Sequence, residues 1–197
     1  MVLALSPQQL SAISTHAEQV YPEECCGLMV GTLTAQANRG GKEALKSLVE
    51  LVPLANEWTP TVVTEDGFRD QSANSKRRRY YIDPKDMLRV QKQAREKGLK
   101  IIGIYHSHPD QVAEPSECDR AQAWPEYAYT IVSVQGQSQA LAPGSNQGKE
   151  NAAKTVDVKT WALDSDHQFQ LEPMNVSHSC IPAFATDRMP VSAQTSL

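Results

Sequence analysis

The chain has 197 residues, and 19 Lys and Arg against 23 Asp and Glu give it a formal net charge of −4. This balance excludes a basic footprint for nucleic acid over the chain as a whole. No apolar run approaches the ~18–20 residues of a membrane-spanning helix, and the N-terminus lacks the basic region of a signal peptide. We therefore expect a cytoplasmic protein that binds neither nucleic acid nor membranes. None of the 4 cysteines forms a C-x-x-C pair, so reduced thiols are expected.

The first half of the chain predicts one helix, two strands and a long loop. Ser6 is the expected N-cap of the helix, with Gln9 as its reciprocal partner, and Pro22 ends it. Residues 56–79 are polar and without periodicity, which predicts a loop long enough to be functional. The strands are predicted at 27–34 and 45–54, where the sequence is apolar.

The second half alternates helices and strands. Asp83 is the expected N-cap of a helix that ends near Gly98, and Ser116 opens a shorter helix. The lengths of the apolar runs and the polar turns between them indicate strands. These strands are predicted at 100–105, 127–134, 155–163 and 167–171.

The order of these elements predicts one mixed α/β domain with a central sheet. We place this domain at residues 1–172 and expect two polar insertions, at about 56–79 and 135–154. Residues 173–197 show no periodicity and are predicted to form a disordered tail.

The segment His106-Ser107-His108-Pro109 carries the clearest chemical signal. Side chains alternate along a strand, so His106 and His108 are expected to share one face with Ile102 and Ile104. Asp119 lies one turn into the next helix and can turn its carboxylate toward the same point. Two imidazoles and a carboxylate are the three protein ligands of a catalytic zinc site.

A capping box offers a competing interpretation of Asp119. Ser116 and Asp119 have the S-x-x-D spacing of a helix N-terminus, and a carboxylate turned to its N-cap is not expected to face a metal as well. The two upstream histidines favour the metal, since a capping box does not explain them. Cys118 is about 100° from Asp119 around the helix and is expected to face away.

Hydrolysis at a metal also needs a base beside the attacking water. Glu23 and Glu24, at the start of the first strand, are the available carboxylates. Spacing alone does not choose between them.

The spacing of His106, His108, Pro109, Ser116 and Asp119 resembles the signature of the JAMM (MPN-plus) metalloproteases. The segment Pro22-Glu23-Glu24-Cys25-Cys26-Gly27-Leu28 resembles the glutamate segment of bacterial members. Residues 81–84 and the following helix resemble the branch that acts on ubiquitin-like sulfur-carrier proteins. The resemblance covers residues 3–172 and implies a mixed sheet flanked by helices, with an architecture like that of cytidine deaminases.

The resemblance also implies the chemistry. His106, His108 and Asp119 would hold one Zn²⁺, Glu24 would act as the base, and Ser116 would donate a hydrogen bond to the oxyanion. The reaction implied is hydrolysis of an amide after the C-terminal Gly-Gly of a ubiquitin-like carrier. An extended tail of this kind can add to an exposed strand edge.

Three other functions fit parts of the pattern. Two histidines and one carboxylate also form the facial triad of iron oxygenases, although the serine and glutamate are then unexplained. A zinc deaminase is disfavoured because its H-x-E and P-C-x-x-C ligands are absent. A scaffold without catalysis would leave the complete ligand set without a purpose.

A cationic segment interrupts the acidic chain. Residues 76–100 contain ten Lys or Arg and three acids, a net charge of +7. Most of it is interpreted as a solvated helix face, and its start is predicted to steer an acidic partner. These possible docking residues are Lys76, Arg77, Arg78 and Arg79.

Overall fold

In the computed structural model, residues 1–38, 41–59, 76–137 and 153–178 are described. They form eight strands and three helices. The helices are α1 (Pro7–Val20), α2 (Pro84–Glu96) and α3 (Glu117–Ala121). The strands are β1 (Val2–Leu5), β2 (Cys26–Asn38), β3 (Gly41–Leu54), β4 (Lys100–Pro109), β5 (Ala128–Gly136), β6 (Ala153–Leu163), β7 (Phe169–Leu171) and β8 (Met174–Val176).

All eight strands belong to one mixed sheet in the order β7-β6-β5-β4-β2-β3-β1-β8. Strand β4 lies at its centre, parallel to β5 and antiparallel to β2. Strand β1 is parallel to both of its neighbours, and the remaining pairs are antiparallel. The prediction of a single α/β domain with a central mixed sheet is confirmed.

The two longer helices begin where the sequence predicts. Ser6 and Gln9 form a reciprocal capping box at the start of α1, and the Asp83 side chain accepts a hydrogen bond from the Lys85 amide at the start of α2. Gly98 has φ +68°, a left-handed conformation suited to glycine just after a helix.

The two longer helices, α1 and α2, cover opposite faces of the sheet. Ile13 and Ala17 of α1 pack into a buried cluster with Met29, whereas Val90 of α2 packs into a cluster with Leu28. Because consecutive residues of a strand point to opposite faces, these two clusters lie on the two sides of β2. The histidines of β4 lie on the side covered by α2.

The expectation that Ile102 shares a face with Ile104 and the histidines is wrong. Ile102 belongs to the cluster under α1, while Ile104 packs against the cluster under α2. The pairing register between β2 and β4 shifts between Met29 and Val30, so that Ile102 has no paired partner on β2. An extra residue of this kind is a β-bulge, and it reverses the alternation of the side chains.

The predicted tail is wrong in its first residues, because Met174–Val176 forms strand β8 and pairs with β1. A buried ion pair lies next to this strand, with Lys46 Nζ 3.0 Å from Glu172 Oε2 and both side chains at most 1% exposed. The sequence shows no strand here because the pairing is made with β1, at the other end of the chain. Residues 179–197 lie outside the described residues.

The two predicted insertions are described only at their ends. Residues 60–75 of the first and 138–152 of the second lie outside the described residues, while 135–136 and 153–154 belong to strands. The hairpin predicted after the second insertion is confirmed by the pairing of β6 with β7. Within the described parts of the chain, none of the helices has the length and apolar character needed to span a membrane.

Candidate metal centre

The two histidines meet at the C-terminal end of β4, as their spacing predicts. The Nε2 atoms of His106 and His108 lie 3.1 Å apart. Both side chains are buried, and His106 is 0% exposed. His108 is oriented by its second ring nitrogen, since Nδ1 lies 3.0 Å from the carbonyl oxygen of Val112.

Asp119 completes this cluster without leaving the helix cap. Its Oδ1 lies 3.4 Å from His106 Nε2, and its Oδ2 lies 3.7 Å from His108 Nε2. The same Oδ2 accepts hydrogen bonds from the backbone N–H and the hydroxyl of Ser116, at 2.7 and 2.6 Å. The carboxylate of Asp119 therefore faces the helix cap and the two histidines at the same time. The expected competition between the cap and the metal for this carboxylate is wrong.

The donor set of this cluster fits a small divalent cation. One ligand atom from each of His106, His108 and Asp119 lies within 4.8 Å of the others. A tetrahedral zinc ion bound at about 2.0–2.1 Å places its ligand atoms about 3.3 Å apart. The separations of 3.1 and 3.4 Å that His106 makes are close to this value.

Burial adjusts the protonation of two of these groups. Loss of solvent lowers the pKa of His106 to about 4, although the nearby Asp119 opposes this change. Burial alone would raise the pKa of Asp119, but His106, together with hydrogen bonds from His108 and Ser116, holds it well below its usual range. A neutral imidazole and an ionised carboxylate are the forms that bind metals.

Glu24 is the upstream carboxylate that reaches the same cavity. Its side chain is buried, with 5% of the residue exposed, whereas its neighbour Glu23 is exposed. Burial, followed by the negative charge of Asp119, raises the pKa of Glu24 well above its ordinary value, and Arg79 partly opposes this shift. Raised values of this kind are typical of carboxylates that exchange protons.

The cavity around these residues has a volume of about 270 Å³ and is polar. Asp119 and Glu24 lie in its wall together with Ser116, whose hydroxyl is directed at Asp119. Its full lining comprises Glu24, Arg78, Arg79, Tyr80, His108, Gln111, Ser116, Cys118, Asp119 and Gln122.

The four residues predicted as a docking segment do not share one environment. Arg78 and Arg79 line the cavity. Arg77 instead pairs with Asp110 at 3.3 Å on the surface, and Lys76 lines a second cavity, which Glu24 also borders. Two arginines are therefore placed to meet an anionic group at the site.

The expectation for Cys118 is wrong, because this residue lines the cavity. Cys118 and Asp119 of α3 both reach the cavity, because an exposed helix face is wide enough to contain residues about 100° apart. An angular offset of this size does not remove Cys118 from the cavity wall.

Sequence reasoning missed two residues that shape the site. The ring of Tyr80 is stacked on that of His106, with centroids 4.5 Å apart. Asn56 is buried, and its amide hydrogen bonds to the carbonyl oxygens of Glu24 and Arg79. Asn56 belongs to the region 56–79 that was predicted as a loop, and Tyr80 follows directly after it. No periodicity in either place marks a contact with a distant strand.

A protein-family model matches most of the chain. The model for prokaryotic homologs of the JAB domain matches residues 6–143. This range contains all the residues that were predicted for the site.

Two curated proteins and one solved structure show what the chain is similar to. A desampylase of Haloferax volcanii is 27% identical over 143 residues, which is 70% of this chain and 85% of that protein. A probable TtuB-protein conjugate cleaving protease of Thermus thermophilus is 36% identical over 73 residues, 37% of this chain and 47% of that protein. The fold matches a solution structure from Desulfitobacterium hafniense with TM-score 0.57 and 24% identity, over 90% of this chain and 93% of that one.

Proposed function

The chain belongs to the family of prokaryotic homologues of the JAB domain, and from this membership we propose a zinc-dependent isopeptidase that acts on conjugates of a ubiquitin-like protein. Two of its relatives are named for cleaving such conjugates. The enzyme class follows from the family, so the chain is a hydrolase of peptide or isopeptide bonds. The bond proposed here is the amide after the C-terminal Gly-Gly of a sulfur-carrier protein.

The observation that carries this proposal is the position of Glu24. The cavity lined by His108 and Asp119 also contains this buried carboxylate, which makes no contact with the histidines among the hydrogen bonds and ion pairs of the described residues. A facial-triad oxygenase needs no such group. A hydrolase needs it to take a proton from water.

His106, His108 and Asp119 would hold the zinc ion. When bound, zinc acts as a Lewis acid and lowers the pKa of a water molecule from 15.7 to about 7. His106 is neutral in the folded protein at physiological pH, because burial keeps its pKa near 4. The site therefore needs no deprotonation of that ring before a metal binds.

Glu24 would move the proton in the reaction. It takes a proton from the attacking water as the new C–O bond forms at the carbonyl carbon. It then delivers this proton to the amine nitrogen as the C–N bond breaks, which leaves the carrier with a free carboxylate. Its raised pKa suits both transfers.

Ser116 would donate a hydrogen bond to the developing oxyanion. Its hydroxyl now donates to Asp119 Oδ2 at 2.6 Å, so it must turn toward the substrate. The backbone N–H of Ser116 also donates to that oxygen, at 2.7 Å, and keeps the carboxylate partnered when the hydroxyl turns. Loss of one such donor typically slows catalysis by roughly 10²–10³.

Of the four predicted docking residues, Arg78 and Arg79 are the two that we propose to contact the substrate. Both line the cavity, and guanidinium groups bind carboxylates well. We propose that they attract an acidic surface of the carrier or its conjugate.

The proposal is tested with purified protein whose metal has been identified. A ubiquitin-like carrier extended past Gly-Gly by a peptide is incubated with the zinc-loaded and chelator-treated protein. Release of the extension by the zinc form alone supports the proposal. Oxygen consumption with iron, and no release with zinc, would show that the site is an oxygenase.

A further inference from the structure

His106 and His108 are oriented by different means. His108 Nδ1 lies 3.0 Å from the carbonyl oxygen of Val112, which favours a proton on Nδ1 and leaves Nε2 free to bind a metal. His106 Nδ1 is buried and has no hydrogen-bond partner among the described residues. Metal-binding histidines almost always have such a partner, so another contact must orient this ring.

That contact is the ring of Tyr80. The two rings are stacked, with centroids 4.5 Å apart and 27° between their planes. His106 points its Nε2 toward His108, at 3.1 Å, and toward Asp119, at 3.4 Å. A flat contact on one face of the imidazole limits rotation of the ring away from this direction.

Tyr80 is itself held in place by Asn56. The Asn56 amide nitrogen donates to the carbonyl oxygens of Glu24, at 3.0 Å, and Arg79, at 2.9 Å. Its amide oxygen accepts from the backbone N–H groups of Trp58, at 3.0 Å, and Tyr81, at 3.2 Å. All four hydrogen-bonding positions of this buried side chain are used, and two of them bracket Tyr80.

We propose that Tyr80 is the positioning residue of His106 and that Asn56 holds it there, in place of the hydrogen bond that His106 Nδ1 lacks. This inference rests on the proposed function, in which His106 is a metal ligand. Asn56 also connects this stack to Glu24. Its amide binds the carbonyl oxygen of Glu24 and, on either side of Tyr80, backbone groups of Arg79 and Tyr81.

The test measures zinc affinity and therefore does not depend on the substrate. Metal-free protein competes with a chromophoric chelator for zinc, and folding of each variant is checked by circular dichroism. Tyr80→Ala should weaken zinc binding by about tenfold or more, the range seen when supporting residues of metal ligands are lost. Tyr80→Phe keeps the stack and should bind zinc like the unchanged protein. Tyr81→Ala is the matched control and should also bind zinc normally.

A second measurement distinguishes a change in the orientation of the His106 ring from a general loss of structure around the site. Cobalt replaces zinc, and its visible bands report the ligand geometry. The bands should change in Tyr80→Ala and stay unchanged in Tyr80→Phe. If Tyr80→Ala does not fold, Tyr80→Leu keeps most of the apolar volume without the ring plane and should show the same loss.

The outcomes distinguish the two levels of the proposal. Normal zinc affinity and cobalt bands in Tyr80→Ala, or in Tyr80→Leu, overturn the positioning role and leave the proposed function standing. Equal losses in Tyr80→Phe and Tyr80→Ala also overturn it, because the hydroxyl would then be responsible. An unchanged protein that binds no zinc overturns the proposed function and the positioning role together.

Discussion

Asp119 and Ser116 form a helix cap whose carboxylate also faces two histidines. Asp119 Oδ2 accepts a hydrogen bond from the Ser116 hydroxyl at 2.6 Å, while Oδ1 of the same group lies 3.4 Å from His106 Nε2. The cap thereby fixes the direction in which the carboxylate points. A helix of five residues is enough to hold the Asp119 carboxylate beside the histidines, since this carboxylate caps the N-terminus of the same helix.

Asp119→Asn should remove most of the metal affinity. The amide keeps the shape of the side chain but loses the negative charge that a divalent cation needs from this position. Metal content per chain, measured by inductively coupled plasma mass spectrometry after gel filtration, should fall well below that of the unchanged protein. Glu117→Gln on the same helix is exposed and should retain the metal. Full metal content in Asp119→Asn would remove Asp119 from the ligand set.

Glu24→Gln should keep the metal and lose turnover. The amide cannot take a proton from water, and loss of a general base typically costs about 10²–10⁴ in rate. The rate of carrier cleavage and the metal content are measured on the same preparation. Glu23→Gln is the matched control, because Glu23 is the exposed neighbour. Turnover near the normal rate in Glu24→Gln would reject the assignment of the base.

The metal-free protein should lose stability on acidification because of His106. Its pKa is about 4 when folded and 6.5 in the unfolded chain, so the unfolded state binds the extra proton between these values. This contribution is present at pH 7 and is lost as the pH falls toward 4. From pH 7 to pH 5 it amounts to about 2 kcal/mol in the free energy of unfolding.

Urea unfolding at the two pH values measures this effect. Glu24 acts in the opposite sense, since its raised pKa favours the folded state at low pH. The contribution of His106 is therefore the difference between the unchanged protein and His106→Asn, and this difference should shrink at pH 5. A difference that stays constant would show that His106 is not buried as a neutral ring.

Glu172→Ala should destabilise the fold strongly. It leaves the ammonium group of Lys46 buried without its partner at 3.0 Å, and breaking a buried ion pair in this way typically costs about 3–5 kcal/mol. The double variant Lys46→Met/Glu172→Leu removes both charges and should recover most of the loss in urea unfolding. A loss of less than about 1 kcal/mol in Glu172→Ala, the usual worth of an exposed pair, would show that this pair is solvated.

Charge reversal at Arg78 should lower the catalytic efficiency with the carrier. Arg78 lines the cavity, so Arg78→Glu should lower kcat/KM for the carrier by about tenfold, with a weaker dependence on salt. Lys92→Glu on the exposed face of α2 has the same charge change and should have little effect. Equal kcat/KM values for the two variants would show that Arg78 does not contribute to binding of the carrier.

The sequence predicted the parts of this molecule that depend on local spacing. The caps at Ser6 and Asp83 and the two histidines of β4 follow from patterns within a few residues. Asp119 was predicted to approach the histidines because it lies one turn into the helix that follows them. Glu24 needed the family resemblance, because spacing gave it no advantage over Glu23.

The remaining features depend on contacts between distant segments. Asn56 and Tyr80 act on Glu24 and His106 across the fold, and no periodicity signals such contacts. The bulge at Ile102 is set by the pairing of β4 with β2, so alternation along one strand did not reveal it. Strand β8 depends on β1 in the same way.

The most direct test of the account is the intact mass of the carrier after incubation. A ubiquitin-like carrier extended past Gly-Gly is mixed with the zinc-loaded protein, with its Glu24→Gln variant, and with chelator. Zinc-dependent hydrolysis with Glu24 as the base should give one new mass, that of the carrier ending at Gly-Gly, in the first reaction and in neither of the others. A product cut at another position, or the same product in the presence of chelator, would contradict it.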